Sequence, residues 1–257
     1  MTWILGIQGP QGCGKSTIAA GLVAEWGRAG VRAATVSIDD FYLTNAEQEA
    51  LASRHPGNPY LRYRGYPGTH DVALGRRTID ALASLPDART TAVPAYDKSA
   101  HRGRGDRAPE SAWPRVSGPL DVVILEGWML GFSPADADAD ALAADPALRA
   151  PNAYLSAYRA WNERLDAFVQ LEVASLDTVV AWRVDSERAR RARGESTLSD
   201  EEARDYIERF LPAYRLWGPR LQAHPPCADS TRIDLAEDRS LRDPEALRRI
   251  VRRARQG

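Results

Sequence analysis

The chain has 257 residues, 44% of them hydrophobic and 27% charged, and 34 Lys plus Arg against 35 Asp plus Glu leave a formal charge of −1. This globular mixture excludes wholesale disorder, the charge balance argues against a nucleic-acid binder, and no stretch approaches the ~18 apolar residues of a membrane span. Two cysteines, Cys13 and Cys227, make no disulfide framework, and with no signal-like segment after Met1 a cytoplasmic protein is expected.

In chain order, Trp3-Ile4-Leu5-Gly6-Ile7 reads as a buried strand ending in Gln8-Gly9-Pro10-Gln11-Gly12-Cys13-Gly14-Lys15-Ser16-Thr17. Ile18, Leu22, Val23 and Trp26 then share one helical face. A second strand, Ala33 to Ile38, stops at Asp39-Asp40. From about Thr44 to Gly118 the chain is rich in Pro-Gly turn signals, interrupted by a helix near Leu74–Leu85 and a short strand near Thr91–Val93. Loops this long inside a compact domain are usually functional. Leu120 to Leu125, apolar almost throughout, suits a parallel strand covered on both faces and ends at Glu126-Gly127. Asp136–Asp140 is an exposed loop, and Asn152 caps a helix carrying Leu155, Tyr158 and Leu165. Phe168–Val173 is a fourth strand, followed by an Arg-rich helix over Thr178–Arg193. Ser199-Asp-Glu-Glu202 is a capping-box start for another helix. A weak strand at Arg232–Leu235 and a helix from Pro244 complete the pattern, with Arg248 to Arg255 read as a solvated helix end. Strands alternating with helices predict one α/β domain over residues 1–257, a doubly wound parallel sheet with helices on both faces.

Gly9 to Ser16 fits G-x-x-x-x-G-K-[ST] between a strand and a helix, the context in which that motif has meaning. Backbone N–H groups around Gly9, Gly12 and Gly14 can turn inward on phosphate oxygens, and the helix dipole adds to them. Lys15 then reaches the terminal phosphates and Ser16 binds Mg2+, so Gly9, Gly12, Gly14, Lys15, Ser16 and Thr17 are the expected ATP contacts. Of the 34 cations only two are lysines, Lys15 and Lys98. An ammonium is a compact point charge that fits where a guanidinium fork does not, which singles out both.

Asp39, Asp40 and Glu126 fall at carboxyl ends of strands, where open α/β sheets bind ligands. Phosphoryl transfer needs such groups to hold Mg2+ and to accept a proton, although helix capping or a structural role would also explain them. Arg64, His70, Asp71, Lys98, His101 and Arg107 crowd the middle region. They suit recognition of a small polar or anionic substrate, as they would suit solvated loops. Arg183, Arg188, Arg190, Arg191 and Arg193 make either a solvated helix face or a phosphate-closing lid over about 178–200.

These stretches together resemble the plant-type D-glycerate 3-kinase family and its bacterial and fungal kinase-like relatives. The resemblance is carried by the Gly-rich loop, Ser37-Ile-Asp-Asp-Phe-Tyr-Leu-Thr44, Arg64-Gly65, Pro67-Gly-Thr-His-Asp71, Tyr96-Asp-Lys-Ser99, Gly105-Asp-Arg107 and Glu126-Gly-Trp-Met-Leu-Gly-Phe132. It extends over nearly the whole chain, through Trp182-Arg183-Val184 and Ser199–Glu202, and ties it to phosphoribulokinase, uridine kinase and pantothenate kinase. It implies a P-loop NTPase fold with sheet order 2-3-1-4-5 and ATP- and Mg2+-dependent phosphorylation of a hydroxyl, with D-glycerate as acceptor. By the same resemblance Asp39 is the catalytic base and also a candidate metal ligand. Glu126 with Ser16 holds Mg2+, and Arg183, Arg188 and Arg191 contact phosphates, with Lys15 and Arg188 assisting transfer. Asp40, Tyr42, Arg64, His70, Asp71, Lys98, His101 and Arg107 are the expected acceptor contacts, a carboxylate being met by Arg64, His70, Lys98, His101 or Arg107. By comparison with the group, the chain is expected to lack the N-terminal extension of the plant enzymes, and Gly194–Leu198 is less Gly-rich than the group suggests. Tyr42, Tyr63, Tyr66 and Tyr96 keep open a nucleoside or pantothenate-like acceptor, and a nucleotide switch without transfer is the alternative of another class. The expected partner is a small hydroxy acid, not nucleic acid or membrane.

Overall fold

The computed structural model describes residues 1–195 and 197–253, with Val251 described by its backbone alone. Five parallel strands form the main sheet: β1 (Trp3–Gln8), β2 (Ala33–Ser37), β3 (Val122–Gly127), β4 (Ala167–Glu172) and β5 (Ser230–Asp234). Their order, β2-β3-β1-β4-β5, is the order that the family resemblance implies. The longer helices among the described residues are α1 (Lys15–Arg28), α2 (Asn45–Arg54), α3 (Val72–Ala83), α4 (Arg149–Asn162), α5 (Leu176–Ala192), α6 (Asp200–Glu208), α7 (Leu211–Ala223) and α8 (Pro244–Arg253).

Alternation along the strands divides the interior in two. Leu5, Ile7, Val122, Ile124 and Val169 face Leu22 and Trp26 of α1, Trp182 of α5 and Ile250 of α8. Ile4, Val36, Val123, Leu125 and Phe168 face the other way, onto Ile79 and Leu82 of α3, Trp161 of α4 and Trp217 of α7. All six residues of β3 are buried, as a strand covered on both faces requires. Among the described residues, no helix is long and apolar enough to cross a membrane.

The structure departs from the sequence-based expectations in several places. β2 ends at Ser37, and Asp39-Asp40 lies in a 3-10 turn, Ile38–Phe41, whose start is capped by the Ser37 hydroxyl. α2 was expected to be loop; its capping box pairs Thr44 with Glu47 across a segment whose apolar pattern is weak. Asn152 is not a cap but sits buried inside α4. Its side-chain oxygen accepts from Ala135 N at 2.8 Å and Trp217 Nε1 at 2.9 Å, and its amide donates to Ala135 O at 3.0 Å. α4 ends at Asn162, so Leu165 lies beyond it. α7 is not among the helices expected from sequence; its Pro212 stands in the first turn, where no helical N–H bond is lost, and Pro219 is carried inside. The capping box at Ser199 and Glu202 is present as expected. Arg255 and Ser196, both within segments interpreted from sequence, lie outside the described residues.

Candidate active site at the carboxyl ends of the strands

The register of the sheet brings the sequence-predicted groups to one level. Glu126 on β3 stands between Ile7 of β1 and Ser37 of β2, so the Gly-rich loop begins two residues past Glu126 on one side and Asp39 lies two residues past it on the other. Gly127 follows Glu126 because any Cβ there would run into the Ile38 side chain and push the Asp39 turn off the sheet.

On the β1 side, Gly14 precedes α1 at φ 91°, a left-handed backbone that suits glycine and turns the chain sharply into the helix. Lys15 folds over the loop, donating to Gly9 O at 2.9 Å and Pro10 O at 3.0 Å. Ser16 is exposed and donates to Glu126 Oε1 at 3.0 Å, while Glu126 itself is only 6% exposed. Thr17 is exposed on the next position of the first turn. The back of the loop is fixed by Tyr214, whose hydroxyl donates to Gln11 Oε1 and accepts from Gln11 N.

On the β2 side, Lys98 Nζ reaches Asp39 Oδ2 at 2.6 Å. Burial alone would raise the Asp39 carboxyl, but the Lys98 ammonium, helped by the Tyr42 hydroxyl, outweighs it and holds the group below its ordinary value. Asp40 behaves oppositely: burial and then the charge of Asp39 push it up to about 6. Two adjacent carboxyls are thereby pushed apart, the first ionised and the second the easier to protonate.

His70 is not a free cation. It is 5% exposed, stacked on Tyr42 with ring centroids 4.3 Å apart, and bonded through Nδ1 to the Tyr158 hydroxyl at 2.7 Å. Burial pushes its imidazole down to about 3, so it supports Tyr42 as a neutral ring. Asp71 caps α3 by accepting from Leu74 N at 2.8 Å. Arg107 donates to Tyr42 O at 3.0 Å and lies 3.6 Å from Asp71. Arg64 donates to the carbonyls of Gly103 at 2.8 Å, Lys98 at 3.3 Å and Arg104, with the Tyr96 ring beneath it. His101 is exposed and pairs with Asp106 at 3.0 Å. These residues assemble the Lys98 loop around the Asp39 turn; of the expected acceptor cations, Lys98 alone meets Asp39.

The arginines expected to form a lid are engaged with acidic groups. Arg183 lies 2.6 Å from Glu187, a carboxylate only 1% exposed, and stacks over Tyr206 at 4.7 Å. Arg188 pairs with Asp200 at 2.7 Å, and Arg191 donates to Leu198 O at 2.7 Å. Glu187, Tyr206 and Arg209 escaped the sequence reading. The first had a local signal, an acid four residues after Arg183 on one helix; the others are joined to the site only by the fold.

A divalent cation that keeps water and substrate-phosphate ligands needs only one or two protein oxygens. The exposed Ser16 hydroxyl and the Glu126 carboxylate supply that pair, and the described residues hold no group of three ligating side chains that would form an all-protein cage. Asp39, the third candidate metal ligand, lies 2.6 Å from the Lys98 ammonium.

A P-loop set on this sheet order, with a carboxylate on the adjoining strand and a second carboxylate turn beyond it, defines the P-loop kinase class. No protein-family model matches the chain. It is similar to the chloroplastic D-glycerate 3-kinase of Arabidopsis thaliana, 43% identical over 92% of this chain and 53% of that protein, so the chain spans about half the plant protein's length. An uncharacterised kinase of Schizosaccharomyces pombe is 38% identical over 82% of this chain and 79% of its own. The solved D-glycerate 3-kinase of Cryptococcus neoformans superposes with a TM-score of 0.85 at 32% identity, covering 94% of this chain and 88% of that one. The chain belongs to the D-glycerate 3-kinase family of P-loop kinases.

Proposed function

We propose that the chain transfers the γ-phosphate of ATP to a hydroxyl of D-glycerate. The observation that carries this reading is the Asp39–Lys98 pair at 2.6 Å, set beside the strand whose Glu126 meets the P-loop serine. The family relationship and the names of the relatives favour D-glycerate as the acceptor. Asp39 stays ionised against Lys98 and accepts the proton of the attacking hydroxyl. Lys15, folded here on its own loop carbonyls, turns outward onto the β- and γ-phosphates. Mg2+, held by Ser16 and Glu126, supplies charge neutralisation on those phosphates when bound. Arg183, oriented by Glu187 and Tyr206, faces the phosphate chain from the lid, with Arg188 and Arg191 further along the same helix. The setting proposed is a single domain working in a reducing cytoplasm, where the free Cys13 and Cys227 stay as thiols, and its partner is a small hydroxy acid.

The test is ATP turnover with D-glycerate, L-glycerate, glycerol, uridine and pantothenate, with the phosphorylated products identified. Phosphoglycerate formed from D-glycerate well ahead of the other acceptors is the expected result. Turnover confined to uridine or pantothenate would replace the acceptor. Tight nucleotide binding with no transfer to any of them would leave a nucleotide switch.

A further inference from the structure

The carboxylate of a hydroxy acid has to meet a cation, and four of the cations around Asp39 are already engaged. Lys98 holds Asp39, Arg64 holds loop carbonyls, Arg107 holds Tyr42 O, and Arg183 is fastened to buried Glu187. Arg209, just past the end of α6, differs. Its guanidinium lies over the Tyr206 ring at 5.0 Å and over the Tyr63 ring at 5.9 Å, and its N–H groups meet no hydrogen-bond or ion-pair acceptor among the described residues. The same Tyr206 ring carries Arg183 at 4.7 Å and stands within electrostatic range of Lys98 and Tyr42. One aromatic ring therefore joins Arg209 to the reacting end of the site.

We propose that Arg209 binds the carboxylate of the acceptor and sets the preference for anionic hydroxy acids. This inference rests on the reading of the acceptor as a small hydroxy acid. The two tyrosine rings, both within cation–π reach, hold the guanidinium near them and limit its rotation. Cation–π contact uses none of its N–H groups, and a guanidinium fork matches a carboxylate with two parallel hydrogen bonds. The backbone at this position is fixed independently of the side chain. Tyr66 donates its hydroxyl to Arg209 O, and the next residue, Phe210, is 4% exposed in the aromatic core. An exposed arginine side chain can thus be exchanged without disturbing the packing around it.

The experiment compares kcat/KM for D-glycerate and for its neutral amide in the wild type, Arg209→Met and Arg209→Lys, with KM for ATP measured alongside. The wild type is expected to favour the anion. Arg209→Met should raise KM for glycerate about 10- to 100-fold, the range for losing hydrogen bonds to a charged group, and level the two acceptors. Lysine should restore part of the preference, since it keeps the charge and loses the fork. KM for ATP should not move. An anion preference retained in Arg209→Met overturns the proposal. If the wild type phosphorylates a different hydroxy acid, D-glycerate fails as the acceptor, and the same comparison on that acid and its amide still decides Arg209. A wild type that uses only neutral acceptors, or none, overturns both.

Discussion

The phosphate and acceptor halves of the proposed site are built by different means. On the phosphate side, Lys15, Ser16 and Glu126 are placed by the backbone of β1, α1 and β3, and their mutual distances follow from strand register. On the acceptor side, Lys98 reaches Asp39 from a loop 59 residues later, and that loop is held by side chains gripping distant carbonyls: Arg64 on Lys98, Gly103 and Arg104, Arg107 on Tyr42. Asp106 reinforces it, accepting from Asn45 N at 3.0 Å and pairing with His101. A phosphate group is common to every nucleotide, so a rigid local cradle serves it. An acceptor is particular, and a pocket assembled from long-range bonds can change one wall without disturbing the sheet.

The sharpest way to break this comparison is at Asp39, where the two halves meet. Asp39→Asn keeps the shape and removes the proposed proton acceptor, so kcat should fall by about 10²–10⁴ with ATP affinity largely kept. Asp40→Asn should lose much less. Steady-state kinetics on both variants decide it, and a larger loss at Asp40 would exchange their roles. On the phosphate side alone, Lys15→Ala should weaken ATP binding in the presence of Mg2+ by about 10-fold or more. Lys15→Arg should not restore it, because the planar fork does not fit where the ammonium reaches Gly9 O and Pro10 O. Wild-type affinity in either variant, measured by titration, would remove Lys15 from the phosphate cradle.

What was legible in the sequence follows the same division. The Gly-rich loop, the buried strand ending at Glu126 and the strand leading to Asp39 are local patterns, each contained in a dozen residues or fewer, and the sheet order came with the family resemblance. Lys98 stood out only because arginine is otherwise the rule, and the structure gives it a definite partner. The roles of Arg64, His70 and Arg107 were not legible. A cation in a loop can serve a ligand or a carbonyl with equal ease, and only tertiary contacts show that Arg64 serves carbonyls and that His70 is buried under Tyr42. α2 and α7 escaped because one has few apolar residues and the other two prolines, so packing rather than propensity decides both.

The acceptor half can be loosened in steps. Lys98→Met should raise KM for the acceptor about 10-fold and leave KM for ATP nearly unchanged, since its ammonium meets Asp39 and not the P-loop. Arg64→Leu should give a smaller rise of the same kind, because it loosens the loop that carries Lys98 without removing the charge beside Asp39. If Arg64→Leu matches or exceeds Lys98→Met, Arg64 contacts the acceptor directly and the scaffolding role is wrong. If neither moves either constant, Lys98 is ordinary surface.

The smallest expected effect concerns stability and isolates Asp40 from the chemistry. Its carboxyl is pushed up to about 6 by burial and by the charge of Asp39, against an ordinary value of 3.8. The folded chain therefore holds a proton here, between about pH 4 and 6, that the unfolded chain releases. Stability from this group falls as pH rises through that window and stays lowered above it. Asp40→Asn removes the titration. The variant should be the more stable protein at pH 7–8, by on the order of 1 kcal/mol once solvent screening of a partly exposed group is allowed for. The difference should shrink below pH 6 and disappear near pH 4. Thermal unfolding of both proteins across that range, with chelator and without nucleotide, reads it directly. A variant that is less stable than the wild type at pH 8 would mean that ionised Asp40 is held by the Ser37 and Tyr96 backbones more strongly than burial and Asp39 oppose it. In that case the two aspartates would act as one ionised pair, and the separation of base and neighbour argued from their environments would fall.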